Sequence, residues 1–414
     1  MNKLLVLGAG TAGTTLVNRL RRRLSDDWYI TVVDQDETHL YQPGLLFIPF
    51  GLYTAADVVE PRRRYLPRDV DLVIGAIEHV DTERQEVRLV DGTVLDYDHL
   101  VIATGTHPRP DQTPGMLGDQ WRQTVHDFYT LEGSVILHDA LKRFGGGRLV
   151  VNMVELPIKC PVAPLEFAFL ADWHLRERGI RDRTEIVFAT PLSGAFTKPV
   201  AASLLGDLLE QKGIVVESDF YTGSVEDGAL VSYDERRLDF DLLVTVPINM
   251  GASFVGASGL GDELDHVPVD RHTFLSNDHG NVWSIGDAAD LPVSKAGSVA
   301  HFAVDVFTEN FPRYVAGLPM EEAFDGHALC FVESGDGRAM LIDFNYETEP
   351  LPGKYPMPGV GPFSLLEESR VNHWGKLAFK WVYWNGLVKG RPMPLPTEMT
   401  MAGKHRPATK ETAV

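Results

Sequence analysis

The sequence predicts an α/β protein with two Rossmann-like dinucleotide-binding domains, the first of them discontinuous, and a C-terminal amphipathic, membrane-associating region. Three observations predict this fold class. A glycine turn, GAGTAG, joins the first strand to the first helix at residues 8–13. Strands and helices alternate again over residues 148–217, and an aromatic, basic segment follows at residues 370–391. Strands that alternate with helices are typical of parallel sheets covered by helices.

The composition indicates a folded protein with an acidic body. Of the 414 residues, 44% are hydrophobic and 23% charged, and the formal net charge is −20. Residues 370–410 contain eight Lys or Arg and one acid, a charge of +7, which leaves −27 on the remaining residues. An acidic body argues against nucleic-acid binding. The basic tail suggests contact with an anionic surface, or simply a solvated, charge-biased C-terminus.

Neither the N-terminal sequence nor any apolar run in the chain suggests export or a membrane span. The N-terminus reads MNKLLVLGAG, an apolar stretch too short for a signal peptide, and no run of 18 apolar residues occurs. We therefore expect a cytoplasmic protein.

The first glycine turn predicts a dinucleotide site. Gly8 allows the tight turn, Gly10 lets the backbone approach a pyrophosphate, and Gly13 lets the helix pack on the strand, with Ala12 in the same turn. Asp34 ends the next strand, 21 residues after Gly13, where it can accept hydrogen bonds from ribose hydroxyls. The turn alone does not distinguish FAD from NAD, and a purely structural turn is the alternative.

Two later stretches favour FAD by resemblance. DHLVIATGT contains Ala103, Thr104 and Gly105, and NVWSIGDAAD contains Gly286 and Asp287. They resemble the paired signatures of flavoproteins with two dinucleotide domains, in which the first closes the FAD domain and the second brings its aspartate to the flavin's ribityl chain. We expect an FAD domain over residues 1–110 and 270–320, a second Rossmann-like domain over 111–269, and a C-terminal region over 321–414.

The second unit lacks the glycines that a nucleotide phosphate would need. Its first strand and helix are joined by ELPIKCPVAP, where Pro157, Pro161 and Pro164 have no N–H to donate. We expect the fold to be kept and the nicotinamide site to be lost. Lys159 and the start of the next helix should lower the pKa of Cys160.

The chain has only two cysteines, Cys160 and Cys330. They are too few for a secreted disulfide scaffold and fit no zinc motif, so they are either inert buried residues or one long-range redox pair. Cys330 precedes AMLIDFNY, which predicts a strand, and PLPGKYPMPGVGP at residues 350–362, which predicts an irregular loop.

Over almost its whole length the chain resembles the sulfide:quinone oxidoreductases. The resemblance lies in GAGTAG, YQPGLLF, ATGT, PIKCPVAPLE, GDAA with SKAG after it, and CFVESGDGRAMLIDFNY. It implies a redox disulfide between Cys160 and Cys330 on the flavin's re-face side, away from the quinone. It also implies that Lys295 approaches the pyrimidine end of the flavin and that Gln42 of YQPGLLF contributes to the cofactor site.

The same resemblance implies the reaction. Sulfide would be oxidised to zero-valent sulfur or polysulfide, with electrons passing through FAD to a quinone. Glu166 resembles a carboxylate that manages protons near the sulfurs, although an acid at a helix start is also favoured by the helix dipole.

The aromatic tail, RVNHWGKLAFKWVYWNGLVKGR, predicts a helix that Gly375 and Gly386 break or bend. Trp and Lys at this density favour a helix lying in the headgroup layer at the cytoplasmic face of the membrane, and ordinary packing is the alternative. By resemblance, Phe331, Lys376 and Phe379 would lie near the quinone. One helix face would carry Trp374, Leu377, Ala378, Trp381, Trp384 and Val388.

Three other functions remain open at this point. They are the flavin subunit of a flavocytochrome c-type sulfide dehydrogenase, a type II NADH:quinone oxidoreductase, and a non-catalytic FAD protein docked on a membrane. No metal site is predicted, a homo-oligomer is possible, and residues 402–414 are expected to be disordered.

Overall fold

The computed structural model describes residues 2–406, which form three main sheets with helices packed between and around them. The α-helices are α1 (Thr11–Leu20), α2 (Leu131–Arg143), α3 (Ala163–Glu177), α4 (Pro199–Gln211), α5 (Ser253–Ala257), α6 (Gly297–Val315) and α7 (Arg370–Val382).

The first sheet is parallel and has five strands. Its inner strands read as nearly continuous apolar runs, because helices cover both faces of the sheet. The chain leaves this sheet after Ile102 and returns to it at Val282, where the new strand pairs with the one just left. In spatial order the strands are Val282–Ser284, His99–Ile102, Asn2–Leu7, Trp28–Asp34 and Asp71–Ile74.

The second sheet repeats this architecture between the two parts of the first. All five strands are parallel, and α3 and α4 connect neighbouring strands. Two such sheets confirm the predicted α/β fold with two Rossmann-like units. The spatial order is Val125–His126, Leu242–Val246, Gly147–Met153, Thr184–Ala189 and Ile214–Glu217.

Short strands complete the two units. Two three-stranded antiparallel sheets and three two-stranded pairs lie beside them. The three-stranded sheets are Ile77–Asp81, Glu86–Leu89, Val94–Asp96 and Thr222–Glu226, Ala229–Ser232, Arg237–Asp239; the pairs are Thr38–Leu40 with Val59–Pro61, His107–Pro108 with Asn249–Met250, and Val267–Pro268 with Ala289–Asp290.

The third sheet is C-terminal, and part of it corrects the sequence analysis. Its strands are Ala328–Gly335, Arg338–Phe344, Gly361–Leu365 and Gly353–Met357 in spatial order. The irregular loop predicted over residues 350–362 is wrong, because two of these strands form an antiparallel hairpin there.

The prolines misled the prediction because they sit where the hairpin needs no donor. The N–H groups of Lys354 and Ser364 point out of the hairpin, to the C-terminal segment and to α7. Pro356 and Pro362 face each other, two residues from Lys354 and Ser364 along each strand. Because N–H directions repeat every two residues in an antiparallel pair, an N–H at either proline position would also point out of the hairpin, so none is needed there.

Helix α7 packs on this third sheet, and Gly375 does not break it. A Cβ at Gly375 would lie 2.6 Å from the ring of Phe363, so the glycine allows the helix backbone to approach the sheet. The expected bend occurs further on, where Gly386 lies in a π-helical turn, Tyr383–Leu387.

That turn also corrects the predicted helix face. Trp374 and Trp381 are 64% and 69% exposed, whereas Trp384 and Val388 are buried against the first unit. The π-helical turn places one more residue in each turn than an α-helix and so rotates the later side chains inward.

Part of the C-terminal segment is ordered, contrary to expectation. The carbonyl of Gly403 accepts a hydrogen bond from Lys354 N at 3.0 Å. Lys404 Nζ lies 2.8 Å from Asp343 Oδ2, with both side chains buried. Residues 407–414 of the stretch expected to be disordered lie outside the described residues.

Helix α3 joins the second unit to the third sheet. It packs against strands of the second sheet on one side and against Ala328–Gly335 on the other, and most of its residues are buried. The loop before α3 therefore meets the strand that carries Cys330.

Candidate active site

The glycine turn forms an open cradle at the start of α1. Gly8 has a φ of +96°, and a Cβ there would lie 2.5 Å from the carbonyl of Ala103. A Cβ on Gly13 would lie 2.0 Å from the carbonyl of Gly8, so both glycines are required by close packing. A Cβ on Gly10 would meet nothing within 4 Å, which leaves room for a phosphate at the helix start.

The other predicted cofactor residues surround this cradle. Thr104 Oγ1 is buried and has no hydrogen-bond partner among residues 2–406, while Gly105 borders open space. A Cβ on Gly286 would lie 3.1 Å from the Cβ of Ala12, so the GDAA turn packs against the start of α1. An orphaned hydroxyl beside open glycines fits a bound dinucleotide such as FAD.

Asp34 lies beside the same turn with a partner that the sequence analysis missed. Its Oδ2 accepts from Ala9 N at 2.7 Å and lies 2.9 Å from the guanidinium of Arg62. Burial raises the pKa of Asp34, and Arg62 opposes that shift. In the sequence Arg62 belongs to an RRR run that looks solvated, so no local signal indicates its buried position.

Lys295 and Asp287 are neighbours, as the GDAA and SKAG motifs suggest. Lys295 Nζ donates to the carbonyl oxygens of Asp287 at 2.8 Å and Ala289 at 3.1 Å. Burial lowers the pKa of Lys295, and Asp287 opposes that shift. Gln42, in contrast, is exposed at the start of a short turn, Gln42–Phe47.

Two backbone N–H groups of the loop that carries Cys160 already donate hydrogen bonds to other parts of the protein. Cys160 N donates to Lys295 O at 2.6 Å, and Lys159 N donates to Asn249 Oδ1 at 3.2 Å. Tyr129 donates its hydroxyl to Cys160 O at 3.1 Å. The loop is therefore held against the SKAG segment, with Cys160 at a φ of +51°.

The predicted net lowering of the Cys160 pKa is wrong, although the backbone amide of Ala163 at the start of α3 does act to lower it. Burial raises the pKa of the Cys160 thiol well above its usual range, and the charges of Glu166 and Cys330 raise it further. Lys376 is the cation that opposes this shift. Lys159 is not among the causes of the Cys160 shift, and burial lowers the pKa of Lys159 itself.

Cys330 lies across from the Cys160 loop in strand Ala328–Gly335. Both cysteines are free thiols in this structure and are partly buried among hydrophobic residues. Burial raises the pKa of Cys330 to about 11, and Ser298 Oγ, 4.0 Å from its sulfur, opposes the shift. The structure thus brings together two cysteines that are 170 positions apart in the sequence.

Glu166 and Lys376 form a buried ion pair beside the cysteines. Glu166 is 1% exposed, and its Oε1 accepts from Lys376 Nζ and, at 2.7 Å, from Glu333 N. Burial opposes the charge of Lys376, but the carboxylates of Glu166 and Glu333 raise its pKa. Lys376 Nζ is also 3.4 Å from Phe331 O.

This pair changes the relation between the two predicted sites. The lysine expected near a quinone contacts the carboxylate expected near the sulfurs. Glu166 also lies in the first turn of α3, where a negative charge is favoured, so the two interpretations of this residue are compatible.

Two further titratable residues at this site were missed. Glu333 is 1% exposed, and its carboxylate oxygens lie 2.9 and 3.0 Å from Nδ1 of His373. The available signal was an acid within an otherwise apolar strand, CFVES, since acids are depleted from strands. His373 gave no signal, because its role depends on how α7 docks.

Phe379 lies near Tyr41 of the first unit and Tyr383 of the π-helical turn. Its ring centroid is 6.5 Å from that of Tyr41 and 6.4 Å from that of Tyr383. It is therefore near the YQPGLLF segment, on the same helix as Lys376.

Comparisons with known proteins agree with this fold. The family described as pyridine nucleotide-disulphide oxidoreductase matches residues 2–154. A mitochondrial sulfide:quinone oxidoreductase of Dictyostelium discoideum is 24% identical over 94% of this chain and 87% of its own length. A type II NADH:quinone oxidoreductase of Staphylococcus aureus is 32% identical over 85% of this chain and 91% of its own length.

A solved structure has the same architecture. The sulfide:quinone oxidoreductase of Aquifex aeolicus superposes with a TM-score of 0.81 at 18% identity, covering 94% of this chain and 92% of that one. The fold and the arrangement of both units are thus shared along almost the whole chain.

Proposed function

The chain belongs to the sulfide:quinone oxidoreductases, a group of FAD-dependent pyridine nucleotide-disulphide oxidoreductases, and we propose from this that it oxidises sulfide and reduces a quinone. The observation that carries the proposal is the meeting of Cys160 and Cys330 in one site with Glu166 and Lys376. Since the chain has no other cysteine, inert packing is a poor account of this meeting.

The proposed sulfur chemistry is thiol–disulfide exchange. Hydrosulfide attacks a Cys160–Cys330 disulfide, the S–S bond breaks, one cysteine becomes a persulfide and the other leaves as a thiolate. Bound FAD supplies the two-electron acceptor between sulfur and quinone. The sulfur is released as zero-valent sulfur or polysulfide.

The surroundings of the two cysteines suit such an exchange. Burial raises the pKa of both thiols and therefore favours uncharged forms, such as a thiol or a disulfide. Lys376 lowers the pKa of Cys160 and so stabilises a thiolate that forms there. Glu166, paired with Lys376, is placed to exchange a proton at its carboxylate.

Phe331, Lys376 and Phe379 are proposed to bind the quinone. An ammonium group has three N–H donors. Lys376 directs one to Glu166 and approaches Phe331 O with another, which leaves a third for a quinone carbonyl. The FAD contacts are proposed for Gly8, Gly10, Gly13, Asp34 and the ATGT, GDAA and SKAG motifs.

NADH oxidation is the main alternative, since the type II NADH:quinone oxidoreductase is similar over most of the chain. A pyrophosphate in the second unit would need free amides in residues 155–162. The amides of Lys159 and Cys160 already bond to Asn249 and Lys295, respectively, and the two prolines in this range have no N–H. These contacts favour sulfide over NADH as the electron donor.

The tail is proposed to rest on the membrane surface at its cytoplasmic face. Among residues 2–406, no helix is long and apolar enough to cross a membrane. Large apolar side chains are nevertheless exposed on α7 and on the hairpin of the third sheet: Met357, Val360, Val371, Trp374 and Trp381. Lipid contact would give a lipid-dissolved quinone a short path to Lys376.

Anaerobic reduction of the purified holoprotein tests the proposal. Flavin absorbance is followed after adding sulfide or NADH, and again after adding a quinone. We expect sulfide to bleach the flavin, quinone to restore it, and Cys160→Ala to abolish bleaching by sulfide. NADH should have no effect on the wild type.

Other results would support the alternatives. Bleaching by NADH and not by sulfide would identify a type II NADH:quinone oxidoreductase. Bleaching by sulfide with reoxidation by a cytochrome and not by quinone would indicate a flavocytochrome-type subunit. No bleaching by either donor would indicate a non-catalytic flavoprotein.

A further inference from the structure

Titratable side chains connect the buried ion pair to the surface of the molecule. Glu166 and Glu333 are each 1% exposed, and Lys376 is 9% exposed. The side chain of His373, on the first turn of α7, is 19% exposed. The cluster Glu166, Lys376, Glu333 and His373 is therefore sealed at one end and open to solvent at the other.

Short contacts join Lys376 to Glu166, Glu166 to the backbone of Glu333, and Glu333 to His373. Lys376 bonds to Glu166, and the backbone N–H of Glu333 donates to the same Glu166 oxygen at 2.7 Å. The Glu333 carboxylate lies 2.9 Å from His373 Nδ1, and its charge raises the pKa of Lys376. The ammonium of Lys376 thus contacts one carboxylate directly and is influenced by the charge of a second.

The proposed reaction needs a proton from solvent. Sulfide enters mainly as HS⁻, and quinone leaves as quinol, so the balance is HS⁻ + Q + H⁺ → S⁰ + QH₂. Oxidising HS⁻ to S⁰ releases two electrons and one proton, and reducing the quinone consumes two electrons and two protons. One proton must therefore enter the site in each turnover.

We propose that Glu333 and His373 carry this proton from solvent to the Glu166–Lys376 pair. His373 takes a proton at the surface, and the Glu333 carboxylate accepts it from Nδ1. Lys376 then receives it when the ammonium has given a proton to the quinone. This inference rests on the proposed function. Within it, Glu333 and His373 act as relay groups that pass protons to Lys376 without touching the substrate.

Other charged groups face this route and belong in its pH dependence. The neighbouring segment contributes Tyr53, whose pKa is raised by burial and by Asp57, and which Lys376 and Glu333 also influence. Lys380, one turn after Lys376, lies over the Tyr53 ring and bonds to Asp57 at 3.0 Å. This second ion pair is separate from the relay and lies nearer the surface.

Steady-state kinetics of the holoenzyme with sulfide and a soluble quinone test the relay. We expect His373→Asn to lower kcat by about 10- to 100-fold, with the KM for quinone unchanged. The deficit should grow as pH rises, because fewer protons reach the site directly from solvent. Added imidazole should restore a substantial part of the rate.

The control is His405→Asn, since His405 is exposed and its one hydrogen bond among residues 2–406, from its backbone N–H to Pro352 O, involves no residue of the route. His373→Gln, a second amide that cannot carry a proton between groups, replaces His373→Asn if the latter lowers the melting temperature. A pH profile of the His373 variant that matches the wild type within twofold would overturn the relay. So would a loss that imidazole does not restore in a fully stable variant.

The wild-type reaction separates this inference from the proposed function. If the wild type reduces quinone with sulfide and the His373 variant does so equally, the relay alone is wrong. If the wild type does not reduce quinone with sulfide, both proposals are wrong.

Discussion

At this site, burial decides for each residue whether its charged form is favoured, because a buried charge needs a partner of opposite charge or a hydrogen bond. Glu166 and Glu333 are almost completely buried, and each is tolerated because a cation or a histidine faces it. The thiols of Cys160 and Cys330 have no such partner as close, so their charged forms are disfavoured. The site therefore favours uncharged cysteine sulfurs and places paired acidic and basic groups beside them for proton transfer.

The raised pKa of Cys330 predicts how stability depends on pH in the reduced holoprotein. A thiol in the unfolded chain ionises near pH 9, whereas Cys330 in the folded protein ionises only at about pH 11. The unfolded state therefore loses its proton first, and the stability from this shift, present at lower pH, is lost between these values.

Cys330→Val removes this contribution. Between about pH 9 and pH 11, the free energy of unfolding of the variant should fall less steeply than that of the wild type, by about 1.4 kcal/mol per pH unit at most. Urea unfolding at several pH values measures both slopes. Equal slopes would contradict the assigned burial of the thiol.

At the scale of elements, the tail helix is tied to the cofactor cradle. The π-helical turn after α7 places Tyr383, 2% exposed, against the first unit. Its hydroxyl lies 2.8 Å from Thr11 Oγ1 at the start of α1 and 2.7 Å from His39 Nε2. Burial lowers the pKa of His39 to about 3, so this histidine is neutral at this contact.

Tyr383→Phe tests this connection. Removal of the hydroxyl leaves a buried histidine nitrogen and a threonine hydroxyl without this partner, which should cost about 1–3 kcal/mol of stability. Urea unfolding of the holoprotein measures the change. Tyr233→Phe is the matched control, since Tyr233 is 79% exposed and its loss should be within about 0.5 kcal/mol. Equal effects of the two substitutions would show that the tail does not depend on this contact.

For the whole molecule, charge and apolar exposure are asymmetric. The tail region carries +7 and the rest −27, and Trp374 and Trp381 are exposed on the tail. An acidic body is repelled from an anionic membrane, so binding through the tail would also orient the molecule.

Binding to vesicles tests this orientation. With vesicles containing anionic lipid, Trp374→Ser combined with Trp381→Ser should reduce binding about tenfold or more, because two large apolar side chains are lost from the contact. Leu117→Ser is the control, since Leu117 is 52% exposed on the second unit. Unchanged sedimentation of the double variant with vesicles would contradict the proposed membrane contact.

The sequence by itself determined the two Rossmann-like units and the glycine cradle, and it identified the two cysteines as a candidate redox pair. Those features depend on local patterns, such as apolar runs, a glycine turn and an acid at a strand end. Local patterns failed where neighbours from other elements decided the outcome. Burial reversed the expected pKa shift of Cys160, and an outward-facing register accommodated Pro356 and Pro362 in a hairpin.

Only the tertiary structure decided which side chains face one another. Lys376 and Glu166 were each singled out from the sequence, but their pairing results from α7 and α3 both packing against strand Ala328–Gly335. Glu333 and His373 meet for the same reason, and Arg62 reaches Asp34 through a turn that has no sequence signature. Such contacts join residues far apart in the chain, and their energies depend on burial that exists only once the sheets have packed.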